Sequence, residues 1–158
     1  MTLPLVGAET GTKHAPSGFM NLKTLLVRDV MTKDVATLGR NEKLNVADDV
    51  MRLGRIRHLP IVDEDGALAG IVSQRDLFHS GLLRALGYGT HAKDQALGLL
   101  VLKEAMKTDV ATITPSAPLG EAAKLMLERK IGCLVVTEGK KIVGILTESD
   151  FVKLALRD

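Results

Sequence analysis

The sequence predicts a mixed α/β (α+β) fold, in which two copies of one β-α-β-β-α unit pack together with pseudo-twofold symmetry. The first observation behind this is an internal repeat. MTKDVATL at 31–38 returns as MKTDVATI at 106–113, LNVADDVM at 44–51 as LGEAAKLM at 119–126, and IRHLPI at 56–61 as IGCLVV at 131–136. These matches share an offset of 75 residues, which drops to 74 where GIVSQRD at 70–76 returns as GILTESD at 144–150, as a turn one residue shorter would produce. The second is that short β-rich runs alternate with helical periodicity in the same order in each copy. The third is size: a unit of under ~60 residues buries too little surface to be comfortably stable alone, so pairing the copies is the expected solution.

Composition supports a packed interior and narrows the function. Of 158 residues 46% are apolar, yet the aromatics are only Phe19, Phe78, Tyr88 and Phe151, so the core must be built from Val, Ile, Leu, Met and Ala. Few aromatic platforms and a formal net charge of +2 argue against a dedicated nucleic-acid binder. The lone Cys133 lies in the apolar run IGCLVV and reads as a small hydrophobe, with no intramolecular disulfide open to it. The first twenty residues lack the basic start and apolar stretch of a signal peptide, and no run reaches the ~18 apolar residues of a spanning helix, so a cytoplasmic protein without membrane contact is expected.

Taken in order, residues 1–22 show neither period and read as an arm, with His14 in solvent. LKTLLVRDVM at 22–31 suggests a lead-in helical turn ending at Thr32, and DVATL at 34–38 a strand. Leu44, Ala47, Val50 and Met51 fall on one helical face, with Gly54 marking the stop. HLPIVDEDGALAGIVS at 58–73 is two apolar runs around an acidic, glycine-containing turn and reads as a hairpin. Pro60 lacks a backbone donor and belongs at the start or edge of its strand. DLFHSGLLRAL at 76–86 is helical, weakened locally by Gly81, and 87–100 is a connector, helical at its end. The chain divides into an arm (1–22), a first copy (23–86), the connector (87–100) and a second copy (101–158).

The chemistry gathers where GIVSQRD and GILTESD pass from strand to helix. Ser73 and Thr147 stand where an N-cap belongs, and Asp76 and Asp150 near the third helical position, where a carboxylate favours the positive end of the helix. One reading is a capped helix. The other is a place to hold a phosphorylated ligand, because free helix N–H groups beside a hydroxyl suit a phosphate and a carboxylate can accept from two sugar hydroxyls.

Each copy resembles a CBS motif, and the pair resembles a CBS tandem, or Bateman module. The features that carry the resemblance are DVMTKDVAT and EAMKTDVAT, the amphipathic helices, RHLPIVD in the first copy, and the two Gly-apolar-apolar-Ser/Thr-x-x-Asp endings, over about residues 23–158. The resemblance implies clefts between the copies that accept an adenosine-containing ligand: AMP, ADP, ATP or S-adenosylmethionine. It also implies that Asp76 and Asp150 accept from ribose hydroxyls, with Ser73 and Thr147 near the phosphate. Val35 with Thr37, and Val110 with Thr112, fall where the family's base-binding segment begins. The backbone of Arg57, His58 and Leu59, and of Gly132 with Cys133, would form the other wall, with Pro60 also among the ligand-binding positions, and Arg57, Arg75 and Lys130 are basic candidates for phosphates. Val135 stands where the first copy has Pro60, so the clefts can differ in shape.

The resemblance further implies a homodimer through the apolar helices following the second strands, and a regulatory module acting on an effector protein. No cofactor is required in this reading. Two other classes stay open: an interaction protein with unoccupied clefts, and a nucleotide-processing enzyme. Against the enzyme, His14, His58, His79 and His91 are dispersed, with no catalytic group or metal-ligand spacing.

Overall fold

The structure is a computed structural model and describes residues 23–85 and 92–156. The expected N-terminal arm, with His14, and the first part of the connector, with Tyr88 and His91, lie outside the described residues. The first copy is built from β1 (Leu38–Gly39), α2 (Leu44–Gly54), β2 (His58–Val62), β3 (Leu68–Ser73) and α3 (Gln74–Ala85), preceded by the short helix α1 (Val27–Val30). After α4 (Ala92–Leu99) and a 3₁₀ turn at Leu102–Glu104, the order returns as β4 (Thr112–Ile113), α5 (Leu119–Arg129), β5 (Cys133–Glu138), β6 (Lys141–Thr147) and α6 (Glu148–Leu154). The β-α-β-β-α order expected of each copy is therefore present.

Each copy forms a three-stranded sheet, β1-β2-β3 or β4-β5-β6, in which the first pair is parallel and the second antiparallel. Each hairpin turns on a glycine with positive φ, Gly66 at 79° and Gly139 at 61°. The segment between the pairs Val62↔Leu68 and Thr137↔Ile142 is one residue shorter in the second copy, which accounts for the change of offset.

Two local expectations need correction. DVATL is not a five-residue strand: only Leu38 and Gly39 join the ladder, and the Val35 N–H is instead satisfied locally by the Lys33 carbonyl at 3.1 Å. Helix α2 ends at Gly54 as expected, and the next residue, Arg55, takes the left-handed conformation (φ 52°), as Lys130 does after α5 (φ 53°). Their cationic side chains sit at the negative ends of those helices, which offsets part of the backbone strain. Pro60 is neither first in its strand nor on an edge strand but third in central β2. It is tolerated because its missing donor faces the side where β1 has not yet begun. At the equivalent point, Val135 N–H donates to the Ala111 carbonyl at 3.1 Å.

The two cores exchange their lead-ins. Val27 and Val30 of α1 pack with Leu119, Ala122, Met126, Leu134 and Leu146 of the second copy. Leu102, which precedes the second copy, packs with Leu44, Met51, Leu59, Val72 and Leu97 around the first. A helix of four residues has no stability of its own, so α1 exists through this packing and through the Leu26 N–H to Asp29 carboxylate bond at 2.9 Å. The Val101 N–H to Glu104 bond at 2.9 Å repeats it before the second copy. Beyond each lead-in, the backbone makes reciprocal 2.9 Å bonds with the opposite sheet, Thr32 with Ile145 and Lys107 with Ile71. These crossed contacts lock the copies together.

Candidate functional site

The two strand-to-helix turns are formed by the same local chemistry. At the first, the Asp76 Oδ2 accepts from the Ser73 N–H at 2.8 Å and from the Ser73 hydroxyl at 2.7 Å, while the Asp76 N–H donates to Ser73 Oγ at 3.2 Å. At the second, Asp150 Oδ2 accepts from the Thr147 N–H at 2.8 Å and the Thr147 hydroxyl at 3.3 Å, and Thr147 Oγ1 lies 2.8 Å from Ser149 Oγ. The first N–H of each helix is satisfied from the start of the neighbouring strand: Gln74 N–H by the Arg57 carbonyl at 2.9 Å, Glu148 N–H by that of Gly132 at 3.1 Å. The capping reading thus describes real bonds. It uses Oδ2 of each carboxylate and leaves Oδ1 outside the cap.

The Oδ1 atoms have different neighbours. Asp76 Oδ1 lies 3.1 Å from the Lys107 ammonium, which reaches across from the second copy, whereas Asp150 Oδ1 lies 3.7 Å from Lys153 of its own helix. Burial alone would raise the pKa of Asp76, but the Ser73 hydroxyl and amide and the Lys107 ammonium outweigh it and hold the carboxyl below its ordinary range. Asp76 is therefore an anion at neutral pH.

His58 faces Ser73 across the β2–β3 ladder, and Cys133 faces Thr147 across β5–β6. The starts of β2 and β5 also meet. A Cβ on Gly132 would stand 3.6 Å from His58 Cε1 and 3.3 Å from Glu148 Oε2, so the bare backbone at Gly132 leaves room for both side chains. Burial, then the Arg57 charge, lower the pKa of His58 from 6.5, Lys107 adding to them against Glu148 and Asp76. The folded state then releases a proton that the unfolded chain keeps below pH 6.5. The stabilisation is complete above 6.5 and is lost as pH falls below that value through the folded pKa. His58→Gln is expected to shrink the fall in melting temperature between pH 7.5 and 5.5, and an unchanged fall would show that His58 does not carry it. The Cys133 thiol is pushed up to about 12 by burial and by Asp150, so it stays protonated and acts as a buried hydrophobe.

The other sequence-derived positions divide. Thr37 and Thr112 are exposed, and Val35 and Val110 half-buried, at equivalent points where each chain enters its first strand. Leu59 and Pro60 are buried, which leaves only their backbone for a wall. Arg57 is exposed beside His58, and Lys130 is the exposed cap residue of α5. Arg75 lines an open recess of about 400 Å³ with Asp48, Gln74 and Phe78, on the face shared by α2 and α3. The residue that sequence reasoning missed is Lys107. Its signal was available: the first copy reads Thr32-Lys33 where the second reads Lys107-Thr108.

Among the described residues no group of three His, Cys, Asp or Glu side chains is placed to hold a metal, and no helix is long and apolar enough to cross a membrane. The arrangement offers two equivalent turns, each with a hydroxyl and a capped carboxylate.

Comparison with known proteins supports the repeat. The description "CBS domain" matches twice, at residues 27–82 and 102–157. A solved Vibrio cholerae structure, provisionally assigned as an acetoin utilization protein (AcuB), is 43% identical, with a TM-score of 0.68 over 84% of this chain and 90% of that one. The CBS domain pair of protein MJ0100, solved in complex with 5′-methylthioadenosine and S-adenosyl-L-methionine, is 28% identical, with a TM-score of 0.67 over 83% of this chain and 95% of that one. CBSX2, solved in complex with AMP, is also 28% identical, with a TM-score of 0.67 over 83% and 96%. With a doubled unit, exchanged lead-ins and two capped turns in common register, the chain belongs to the CBS-domain family as a tandem pair.

Proposed function

We propose that this chain is a cytoplasmic, non-enzymatic regulatory module that binds an adenosine-containing ligand (AMP, ADP, ATP or S-adenosylmethionine) in the clefts between its two copies. The observation that carries the reading is the paired turn. Both aspartates are ordered by a cap through one oxygen and keep the other outside it, at equivalent points of the repeat. A preordered carboxylate loses little entropy when it accepts a sugar hydroxyl. Thr37 with Val35 and Thr112 with Val110 take the base, Ser73 and Thr147 stand near the phosphate, and the backbone of 57–60 and 132–133 closes each cleft. The adenosine compounds bound by two 28% identical tandem pairs favour the same ligand class.

Signalling then requires that the ligand bind one arrangement of the copies better than another. The crossed backbone bonds at Thr32–Ile145 and Ile71–Lys107 give occupancy a direct mechanical route, because they tie each turn's sheet to the other copy. Phe78 on α3 and Val152 on α6 are equivalent, large, apolar and exposed, and with Leu127 and Leu156 they supply a surface for homodimerisation. The output is an effector protein, and the 43% identical Vibrio cholerae structure makes acetoin use the first process to test.

Acid extraction of the purified protein is expected to release an adenine compound. Millimolar AMP, ADP, ATP or S-adenosylmethionine is expected to raise the melting temperature, by mass action on the folded state. Absence of both effects would favour an interaction protein with unoccupied clefts, and turnover of the added nucleotide would favour an enzyme.

A further inference from the structure

The two turns share a backbone frame but not a charge. Reciprocal 2.9 Å bonds join Ile71 to Lys107 beside the first turn, and Ile145 to Thr32 beside the second. The same crossing therefore delivers a lysine to Asp76 and a threonine to the neighbourhood of Asp150. Lys107 Nζ sits 3.1 Å from Asp76 Oδ1, the oxygen that the cap leaves over, and its side chain is 67% exposed. It is an exposed ammonium with three donors, anchored by a backbone that belongs to the other copy.

We propose that Lys107 makes the Asp76 cleft selective for phosphorylated nucleosides, and that the Asp150 cleft, with Thr32 at that place and its nearest ammonium farther off, discriminates less by phosphate charge. The proposal rests on the nucleoside reading above and assigns the ligand's charge at one of its two clefts. A sugar hydroxyl that reaches Asp76 Oδ1 competes with the ammonium for that oxygen. An uncharged nucleoside displaces Lys107 and offers it nothing in exchange. A sulfonium nucleoside adds repulsion. A nucleotide supplies an anionic acceptor to the displaced ammonium, so one charge-assisted contact replaces another. At Asp150 the nearby cation is Lys153, three residues along the same helix and 3.7 Å away, and among the described residues no ion pair reaches Asp150 from the first copy.

The test isolates one cleft with Asp150→Ala and titrates it calorimetrically with AMP and with adenosine, which share base and ribose. Adding Lys107→Met is expected to cut the AMP-to-adenosine affinity ratio by about tenfold, with adenosine binding unchanged or tighter. In the Asp76→Ala background, Thr32→Lys is expected to raise the same ratio at the other cleft. Circular dichroism checks folding, and the exposed Lys107 side chain leaves its backbone bonds in place. Equal weakening of both ligands, or an unmoved ratio, would overturn the role of Lys107 while leaving the nucleoside reading intact. Failure of the unsubstituted protein to bind either compound would overturn the proposal, and failure with ADP, ATP and S-adenosylmethionine as well would overturn that reading too.

Discussion

Gly70→Ala is expected to lower the unfolding free energy by ~2–3 kcal/mol, although it adds a single methyl group. A Cβ there would stand 2.6 Å from Met106 Sδ and 2.9 Å from the Lys107 carbonyl oxygen. The thioether can swing away, but the carbonyl cannot, because it accepts the Ile71 N–H that joins the copies. Met106→Ala is therefore not expected to rescue Gly70→Ala. Gly144→Ala is expected to cost less: its Cβ would lie 3.2 Å from the Thr32 carbonyl, and its closest contacts are with the flexible Met31 side chain, including Cγ at 3.0 Å. Gly120→Ala supplies the contrast. It lies inside α5 with nothing within 4 Å, and alanine there is expected to stabilise by ~0.5 kcal/mol. Urea denaturation of the three variants measures the order. A neutral Gly70→Ala would mean that the lead-in does not cross β3 as closely as described.

The second large effect concerns binding. Removing both carboxylates, as Asp76→Ala with Asp150→Ala, is expected to weaken AMP binding by about 100-fold, since hydrogen bonds to a charged group contribute ~1.5–3 kcal/mol each. Each single substitution should disable one cleft. Stability should fall as well, because the Ser73 and Thr147 N–H groups lose their acceptor, by ~1 kcal/mol per site. Asn at each position separates the two losses: it keeps an oxygen for the cap but no negative charge for the sugar. If calorimetry finds the double alanine variant binding AMP as tightly as the parent, the ribose assignment fails.

The doubled architecture was legible because repetition and hydrophobic period are properties of the sequence itself. Leu44, Ala47 and Met51 fell on one face by spacing alone, and they are buried. The caps were legible for the same reason, since Ser73–Asp76 and Thr147–Asp150 are contacts between near neighbours. What escaped was everything that depends on which copy touches which. Val27 reads as the start of the first copy but packs in the second core. Gly70 and Gly144 read as strand glycines, whereas the crossing of the opposite lead-in explains them. Lys107 gains its place at Asp76 from the backbone pairing with Ile71, a contact between the copies. Arg75, two residues after Ser73 and next to Asp76 in sequence, lines the α2–α3 recess with Asp48 and Phe78, a placement that depends on how α3 packs beside α2.

The central claim is that an adenosine ligand sits at the capped turns between the copies. Its most direct test is an amide NMR titration of the ¹⁵N-labelled chain with AMP. The account predicts that resonances of Ser73 and Asp76, or of Thr147 and Asp150, move together with those of Thr37 or Thr112. Shifts confined to the outer faces of α2 and α5, or none at millimolar AMP, would contradict it.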